Sequence, residues 1–248
     1  DRVSRITWLT KYLAHKFRFD EQQESFAIQA SNLSKNDLIS QMVGEFPELQ
    51  GLMGGKYILS EGKDYNIAIA IFEQYFPRFS GDRLPESNTG SVLAIADKLE
   101  LIFSIFSKGE RPTGSSDPYA LRRAGNGLFQ ILWSRDWSID LDLLVSEAIN
   151  HWAEILPDLR IQTKTLYNDI SEFLRQRIIS LLEEMSIDSD LVQAIVGDPT
   201  RLSRVLKDPY DAKIRADLLS SLRTNGKLLE LQAVFNRASK LADKSDLN

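Results

Sequence analysis

Four basic residues lie close together in the middle of the chain, and their side chains suit the binding of phosphate. Lys108 and Arg111 fall in a loop rich in glycine and serine, and Arg122 and Arg123 follow that loop. A guanidinium offers planar, forked donors that match phosphate oxygens, whereas an ammonium binds them as a point charge. The same pattern is typical of an ion-paired helix surface. The residues alone therefore leave phosphate binding and a structural role open.

Two carboxylates are the other residues that could do chemistry. Asp37 and Asp97 are expected on separate helices, and apolar residues flank each of them. An acid beside an apolar face also caps a helix or pairs with a cation, and Lys98 is adjacent to Asp97. Two carboxylates are too few ligands for a metal site. We therefore expect no metal ion from these residues alone.

Other catalytic centres have little support in the sequence. The two histidines, His15 and His151, stand in no recognisable nucleophile motif. Residues 51–56 resemble a phosphate-binding loop, but they lack its spacing and the Ser or Thr that would follow the lysine. Their glycines instead predict a tight bend and a close approach between helices. The absence of cysteine excludes disulfides, thiolate metal sites and a cysteine nucleophile.

The elements that must position these residues are helices. Apolar residues recur with the helical period, and no segment alternates with the period of a strand, so the sequence predicts an all-α fold. Ser34 and Asp117 are expected helix caps, and Pro118 suits a first helical turn. After two helices near the start, the expected helices cover residues 35–43, 64–75, 92–106, 118–133, 141–155, 161–184, 188–196, 202–206, 212–222 and 227–241.

A connection at residues 134–137 divides these helices into two predicted units, residues 1–135 and residues 140–248. Turn signals at Asp198-Pro199 and Asp208-Pro209 separate shorter helices in the second unit. The net charge from residue 200 onward is +4, while the rest of the chain carries −9. A basic end on an acidic protein permits contact with phosphate there.

Two further features of the sequence limit the kind of protein that this chain can be. No apolar run reaches the roughly 20 residues that a membrane-spanning helix needs. The chain begins at Asp1 rather than Met and has no signal-peptide pattern, which is expected of a piece of a longer protein.

Five segments carry a pattern that periodicity alone would not produce: residues 37–51, 75–79, 82–85, 94–99 and 112–123. Their order and spacing hold over about 90 residues. Together they resemble the β subunit of the bacterial-type, two-subunit glycyl-tRNA synthetase. The rest of the chain matches that family more loosely, mainly in its helix pattern.

The resemblance implies a division of labour between two subunits. In this family the aminoacylation site lies in a separate α subunit, which uses ATP, with Mg, and glycine, whereas the β subunit handles tRNA and takes part in assembly. The expected function is therefore that of a non-catalytic, cofactor-free fragment of a glycine–tRNA ligase β subunit. Its expected partners are the α subunit, in an α2β2 assembly, and glycine tRNA. Its expected location is the cytoplasm, or the plastid stroma in a plant or alga.

The resemblance also relates the first unit to the HD-type domain of metal phosphohydrolases. That pattern needs a His, then a His-Asp pair, then a later Asp. Asn36 and Asp37 stand where the pair would be, and Asp97 stands where the last Asp would be, but the histidine of the pair is absent. The resemblance thus implies a domain without a metal or catalysis of its own. The alternatives are a metal-dependent phosphohydrolase that kept Asp37 and Asp97, and a purely structural scaffold.

The second unit resembles the start of a truncated anticodon-binding domain of the type found in arginyl-tRNA synthetases. Residues 235–241 look like the family's Lys-Arg-x-x-Asn segment, although Asn236 replaces the Lys and Lys240 takes the Asn position. The resemblance therefore extends the expected tRNA contacts to six residues: Lys108, Arg111, Arg122, Arg123, Arg237 and Lys240.

Overall fold

The computed structural model describes residues 1–197 and 202–242, so the turn predicted at Asp198-Pro199 lies outside the described residues. The described part is helical and contains no β-strand, which confirms the all-α prediction. Single 3₁₀ turns cover Asn36–Ile39, Pro47–Leu49 and Pro157–Leu159. The α-helices are α1 (Arg2–Lys16), α2 (Glu21–Leu33), α3 (Gln41–Glu45), α4 (Leu52–Ser60), α5 (Tyr65–Glu73), α6 (Asn88–Ser107), α7 (Leu121–Ser134), α8 (Leu141–Ile155), α9 (Thr163–Glu184), α10 (Ser189–Val196), α11 (Leu202–Lys207), α12 (Pro209–Thr224) and α13 (Lys227–Ala242).

Helix α6 lies at the centre of the fold. Most of its 20 residues are buried, and it packs against α1, α2, α5, α7, α8 and α9. A helix that is apolar on most sides must be surrounded by others. Helix α1, for example, buries Ile6, Leu9 and Leu13, whose spacing places them on one face of the helix. One continuous apolar cluster therefore runs from α1 to α12.

A buried acid on α6 attaches α1 to this centre. Glu100 is only 1% exposed, and it accepts hydrogen bonds from Arg2 Nε at 2.8 Å and from Arg5 Nη2 at 2.8 Å. Ser104 Oγ donates to the same carboxylate at 2.6 Å. Charge-assisted bonds of this kind offset the cost of burying the carboxylate. The charged residues of α6 are thus structural contacts to neighbouring helices rather than a solvated face.

A second buried acid, Glu73 at the end of α5, sets the start of α6. Its carboxylate accepts the N–H of Glu86 at 2.8 Å and the hydroxyl of Ser87 at 2.5 Å. The Ser87 hydroxyl in turn accepts the N–H of Gly90 at 2.9 Å and so caps the helix. Helix α6 therefore begins at Asn88, four residues before the predicted start.

The helix predicted over residues 35–43 is wrong. Ser34 ends α2 instead of starting a new helix, and a 3₁₀ turn follows it. Ser40 has an extended backbone, and its hydroxyl accepts the N–H of Val43, so that the short helix α3 begins after it. Asp37 turns inward, and its carboxylate accepts the N–H of Gly51 at 2.6 Å. This buried, charge-assisted hydrogen bond stabilises the turn, and the longer predicted helix does not form.

The helix predicted from Pro118 begins three residues later. Ala120 has a φ of 55°, in the left-handed region, and cannot belong to a right-handed helix. Ala120, rather than the predicted Asp117, is therefore the N-cap residue, but the Asp117 carboxylate reaches the helix end from three residues upstream and accepts the N–H groups of Leu121 at 2.8 Å and Arg122 at 2.9 Å. The basic pair therefore lies in the first turn of α7.

Residues near the predicted division into two units pack against the later helices. The Trp133 indole N–H donates to the Pro209 carbonyl at 3.0 Å, and the Ser138 hydroxyl donates to Asp208 at 2.7 Å. Helix α9 also packs against α6 and α7. The apolar core thus runs across this position, and the division at residues 135–140 stays a prediction.

Candidate functional site

A cleft of about 820 Å³ opens beside the middle of α6. Its walls come from the start of α1, residues 35–50, the loop after α5, α6 itself and the start of α7. We call it the basic cleft, because five cationic side chains line it against two acidic ones. The cations are Arg2, Lys35, Arg78, Lys98 and Arg123; the acids are Glu48 and Asp97; the aromatic side chains are Tyr75, Phe79 and Tyr119.

Lys98 is the most deeply buried cation of the basic cleft. Its side chain is on α6, the residue is 7% exposed, and Nζ donates to the Phe76 carbonyl at 2.6 Å. Burial lowers the pKa of Lys98 to about 8, because the loss of hydration disfavours the ammonium more than the nearby charge of Asp97 favours it. An ammonium has three N–H donors. The Lys98 ammonium is therefore poorly hydrated, and after its bond to Phe76 it has further N–H donors for an anion in the cleft.

Asp97 is neutralised by cations of the protein. Its Oδ1 lies 3.0 Å from Lys35 Nζ and 3.1 Å from Arg2 Nη2. Burial alone would raise the pKa of Asp97, but the attraction of Lys35 and Arg2 outweighs it and lowers that pKa below its ordinary value. Lys98, the sequence neighbour, bonds to a backbone carbonyl instead. Asp97 thus joins α6 to α1 and to the segment after α2.

The donor set around Asp37 and Asp97 does not fit a metal ion. Asp37 Oδ2 accepts the Gly51 N–H, while its Oδ1 is buried without a hydrogen-bond partner among the described residues, and a metal at Asp97 would have to displace the Lys35 ammonium. Within residues 1–197 and 202–242, no three His, Cys, Asp or Glu side chains converge as metal ligands. The other side chains that line the cleft are mostly cationic, so the cleft suits an anion better than a metal cation.

The basic pair on α7 continues the positive surface beyond the cleft. Arg123 is exposed at its rim, and it also lines a second hollow of about 280 Å³ together with Arg122. Phe79 and Pro77 line both spaces, so the two hollows adjoin. Because Asp117 occupies the first N–H groups of α7, the arginine side chains carry the attraction for an anion rather than the helix end.

Arg177 on α9 adds a third guanidinium next to this pair. Its Nε is buried and has no hydrogen-bond partner among the described residues. Burial and then repulsion by Arg122 lower the pKa of Arg177 below its ordinary value, while Asp117 and Glu184 partly offset them. The repulsion between Arg122 and Arg177 favours the binding of an anion, because a negative charge between them would offset it.

Arg111 has an internal structural role. Its Nε and Nη2 donate to Asp169 on α9 at 3.1 and 2.7 Å, and its Nη1 donates to the carbonyls of Phe106 and Glu110. These bonds tie the loop before α7 to α9. Lys108 is exposed and lines a separate hollow with Arg111. The four central basic residues therefore do not converge, and the predicted phosphate contacts of Lys108 and Arg111 stay predictions.

Arg237 and Lys240 lie on α13, a helix without any buried residue. Its main packing partner among the described helices is α12. Both side chains are exposed, and neither lines the basic cleft. Their predicted contact with tRNA stays a prediction as well.

Several residues of the basic cleft did not stand out in the sequence. Lys35, Arg78 and Lys98 provide cations, and Phe79 and Tyr119 provide rings. Most of them fall inside or beside the segments that carry the family resemblance, and this is the signal that could have found them. They come from separate elements, so no spacing rule links them.

Comparison with known proteins identifies the family. The sequence model of the glycyl-tRNA synthetase β subunit family matches residues 1–197 of this chain. This chain belongs to that family. Among curated relatives, the glycine–tRNA ligase β subunit of Acaryochloris marina is 41% identical over 248 residues, which cover 99% of this chain and 34% of the relative. The β subunit of Clostridioides difficile is 39% identical over 227 residues, which cover 92% of this chain and 31% of the relative.

The β-subunit family assignment confirms the resemblance inferred from sequence. The matched range contains every residue of the basic cleft together with the basic pair on α7, and it ends before α13. The chain spans about a third of the length of the curated relatives it matches. None of the described helices has the length and apolar character needed to cross a membrane.

Proposed function

We propose that this part of the β subunit binds glycine tRNA and contributes to assembly with an α subunit, in an α2β2 enzyme. In this proposal the α subunit carries out the ATP-dependent glycylation, with Mg, and this chain holds no cofactor of its own. The site of action is the cytoplasm, or the plastid stroma in a plant or alga. Family membership supports the proposal, as do relatives that are themselves named glycine–tRNA ligase β subunits.

The observation that carries the proposal is the group of unpaired arginines beside the basic cleft. None of the ion pairs among the described residues involves Arg122 or Arg123, and Arg177 has a buried Nε without a hydrogen-bond partner. In contrast, cations on α12 lie within ion-pair distance of acidic neighbours: Lys213 Nζ is 2.8 Å from Asp217, and Arg215 Nε is 2.8 Å from Asp211, although Arg215 Nε and Nη2 form no well-aligned hydrogen bond. Unneutralised guanidinium groups bind RNA phosphates with bidentate geometry.

The net charge of −5 sets the conditions under which such binding can be measured. The attraction for phosphate is local, and the rest of the molecule repels a polyanion. Binding should therefore be weak at physiological salt and should strengthen steeply as the salt concentration falls.

The test is the double variant Arg122→Gln/Arg123→Gln, with tRNA affinity measured across a salt series. Each lost phosphate contact should reduce the slope of log affinity against log salt by roughly 0.7–0.9. The matched control is Lys213→Gln/Arg215→Gln, which removes the same charge from ion pairs on α12 and should leave the slope near that of the parent chain. An unchanged slope in the first variant, or an equal change in both, would remove the arginine pair from the interface.

The same experiment separates the alternatives. A purely structural scaffold would assemble with the α subunit but would have no tRNA affinity at any salt concentration. A metal-dependent phosphohydrolase has no support from the donor set, because Lys35 and Arg2 already neutralise Asp97.

A further inference from the structure

The basic cleft has features that binding to a double-stranded phosphate backbone does not require. It is concave, and its volume of about 820 Å³ falls within the range of about 300–1,000 Å³ typical of small-ligand sites. A rigid RNA duplex cannot enter a cleft of this size, because its bases are stacked and paired. A single unpaired nucleotide can.

Two aromatic rings at the cleft are exposed to solvent. Phe79 is 57% exposed and Tyr119 is 43% exposed, although burial is the usual fate of such rings. They come from the loop after α5 and from the segment before α7, so both border the same opening. Exposed rings inside a basic groove are the platform on which proteins stack unpaired bases.

The charges of the cleft are arranged to receive one phosphate. Lys35 and Arg2 are occupied by Asp97, and Arg78 Nε lies 3.4 Å from Asp82. The remaining attraction comes from the Lys98 ammonium at depth, the Arg123 guanidinium at the rim and the outer nitrogens of Arg78. Glu48 is the opposing acid on the wall.

We propose that the basic cleft binds one nucleoside 5′-phosphate, with its base against Phe79 and Tyr119 and its phosphate between Arg78, Arg123 and Lys98. The proposal rests on the proposed function insofar as tRNA supplies an unpaired nucleotide. A free nucleoside monophosphate carries the same chemistry, and the probes below distinguish these two sources.

The first experiment compares RNA probes on the 248-residue chain at low salt. A single-stranded hexanucleotide should bind at least tenfold more tightly than a blunt duplex of the same length. Phe79→Ala should weaken the single-stranded probe by about 5- to 150-fold, which is the effect of losing one stacked base. The matched control is Tyr65→Ala, because Tyr65 is 64% exposed and lies outside the cleft; it should bind like the parent chain.

The second experiment tests the phosphate with AMP and adenosine. The parent chain should prefer AMP, and Lys98→Met should abolish that preference while adenosine binds as before. Thermal melting curves, recorded by circular dichroism, verify that each variant is folded. AMP that binds while the hexanucleotide does not would assign the cleft to free nucleotides; binding of both would assign it to unpaired RNA.

Measurable and equal affinity for single strand and duplex, or an equal loss of single-strand binding in Phe79→Ala and Tyr65→Ala, would overturn the proposal. Its failure is distinct from failure of the proposed function. If tRNA binds with a slope that depends on Arg122 and Arg123, but neither AMP nor the hexanucleotide binds, then the cleft proposal alone is refuted. If AMP or the hexanucleotide binds but tRNA does not, then the proposed function alone is refuted.

Discussion

Lys98 is a lysine inside a helix that is otherwise largely apolar, and its burial has a consequence for stability. In the folded chain burial lowers its pKa to about 8, whereas an unfolded chain keeps the ordinary value for lysine. Below pH 8 both states are protonated, and the folded state carries the cost of the buried ammonium. Between these two pKa values the unfolded state binds more protons, so stability rises with pH.

We therefore predict that pH changes the difference in unfolding free energy between the parent chain and Lys98→Met. From pH 7 to pH 10.5, the parent chain should gain on the order of 3 kcal/mol relative to the variant. Urea unfolding at several pH values measures this difference, and the comparison cancels the titration of other groups. A difference that stays constant with pH would mean that Lys98 titrates normally.

Asp97 is a second residue whose role follows from its neighbours. Asp97→Asn removes the ion-pair partner of the largely buried Lys35 ammonium and leaves it only the weaker attraction of Asp37 and the ring face of Tyr75 at 4.2 Å. We predict a loss of roughly 3 kcal/mol in unfolding free energy. The double variant Asp97→Asn/Lys35→Met should be more stable than the sum of the single losses implies, because it removes both charges together.

The same variants test the metal hypothesis. Because Lys35 neutralises Asp97, millimolar Mn²⁺ or Mg²⁺ should leave the melting temperature of the parent chain unchanged. A metal-dependent rise in melting temperature that disappears in Asp97→Asn would contradict the structural role and revive the phosphohydrolase alternative.

At the scale of elements, the glycines of α4 decide how closely that helix approaches α5. The sequence predicted a close helix approach here, and the structure confirms it. A Cβ on Gly55 would lie 2.9 Å from the backbone oxygen of Ala68, and a Cβ on Gly54 would lie 2.8 Å from Ile71 Cγ2. A backbone atom cannot move aside as a flexible side chain can, so the two helices would have to separate.

We predict that Gly55→Ala destabilises the chain by about 1–3 kcal/mol through this overpacking. Gly44→Ala is the control, because nothing lies within 4 Å of a Cβ at that position and alanine is the better helix former. Gly44→Ala should be neutral or slightly stabilising. Equal stabilities for the two variants in urea unfolding would show that α4 and α5 do not meet at Gly55.

Helix positions could be predicted well where the apolar period is long. The prediction for residues 141–155 matches α8. Helix ends were missed where a distant contact sets them, as with the Asp37 bond to Gly51 and the Glu73 bond to Ser87. Such contacts join residues that are far apart in sequence, and local propensity carries no information about them.

The candidate site could be predicted only in part, for the same reason. Arg122 and Arg123 stood out because they are adjacent in sequence, and the structure sets them beside the cleft. Lys98 stood out only as a possible ion-pair partner of Asp97, because its burial depends on α6 being surrounded by other helices. For Arg111 the sequence left phosphate binding and ion pairing open, and the structure pairs it with Asp169, which is 58 residues away.

At the scale of the whole molecule, net charge is a poor guide to where an anion binds. The segment after residue 200 is the more basic part of the chain, but several of its cations are paired. Arg223, for example, binds Asp188 at 2.7 Å and Asp190 at 2.5 Å. The more acidic part of the chain contains the basic cleft and the unpaired arginines of α7. In the proposed function, the distribution of ion pairs, rather than the count of charges, decides which face of the chain attracts tRNA.

The most direct test of the central claim is tRNA binding by the unmodified chain across a salt series, with glycine tRNA and an unrelated tRNA compared side by side. We predict binding that favours glycine tRNA and weakens steeply as salt is raised. An absence of binding to either tRNA even at low salt would contradict a recognition surface in this part of the β subunit.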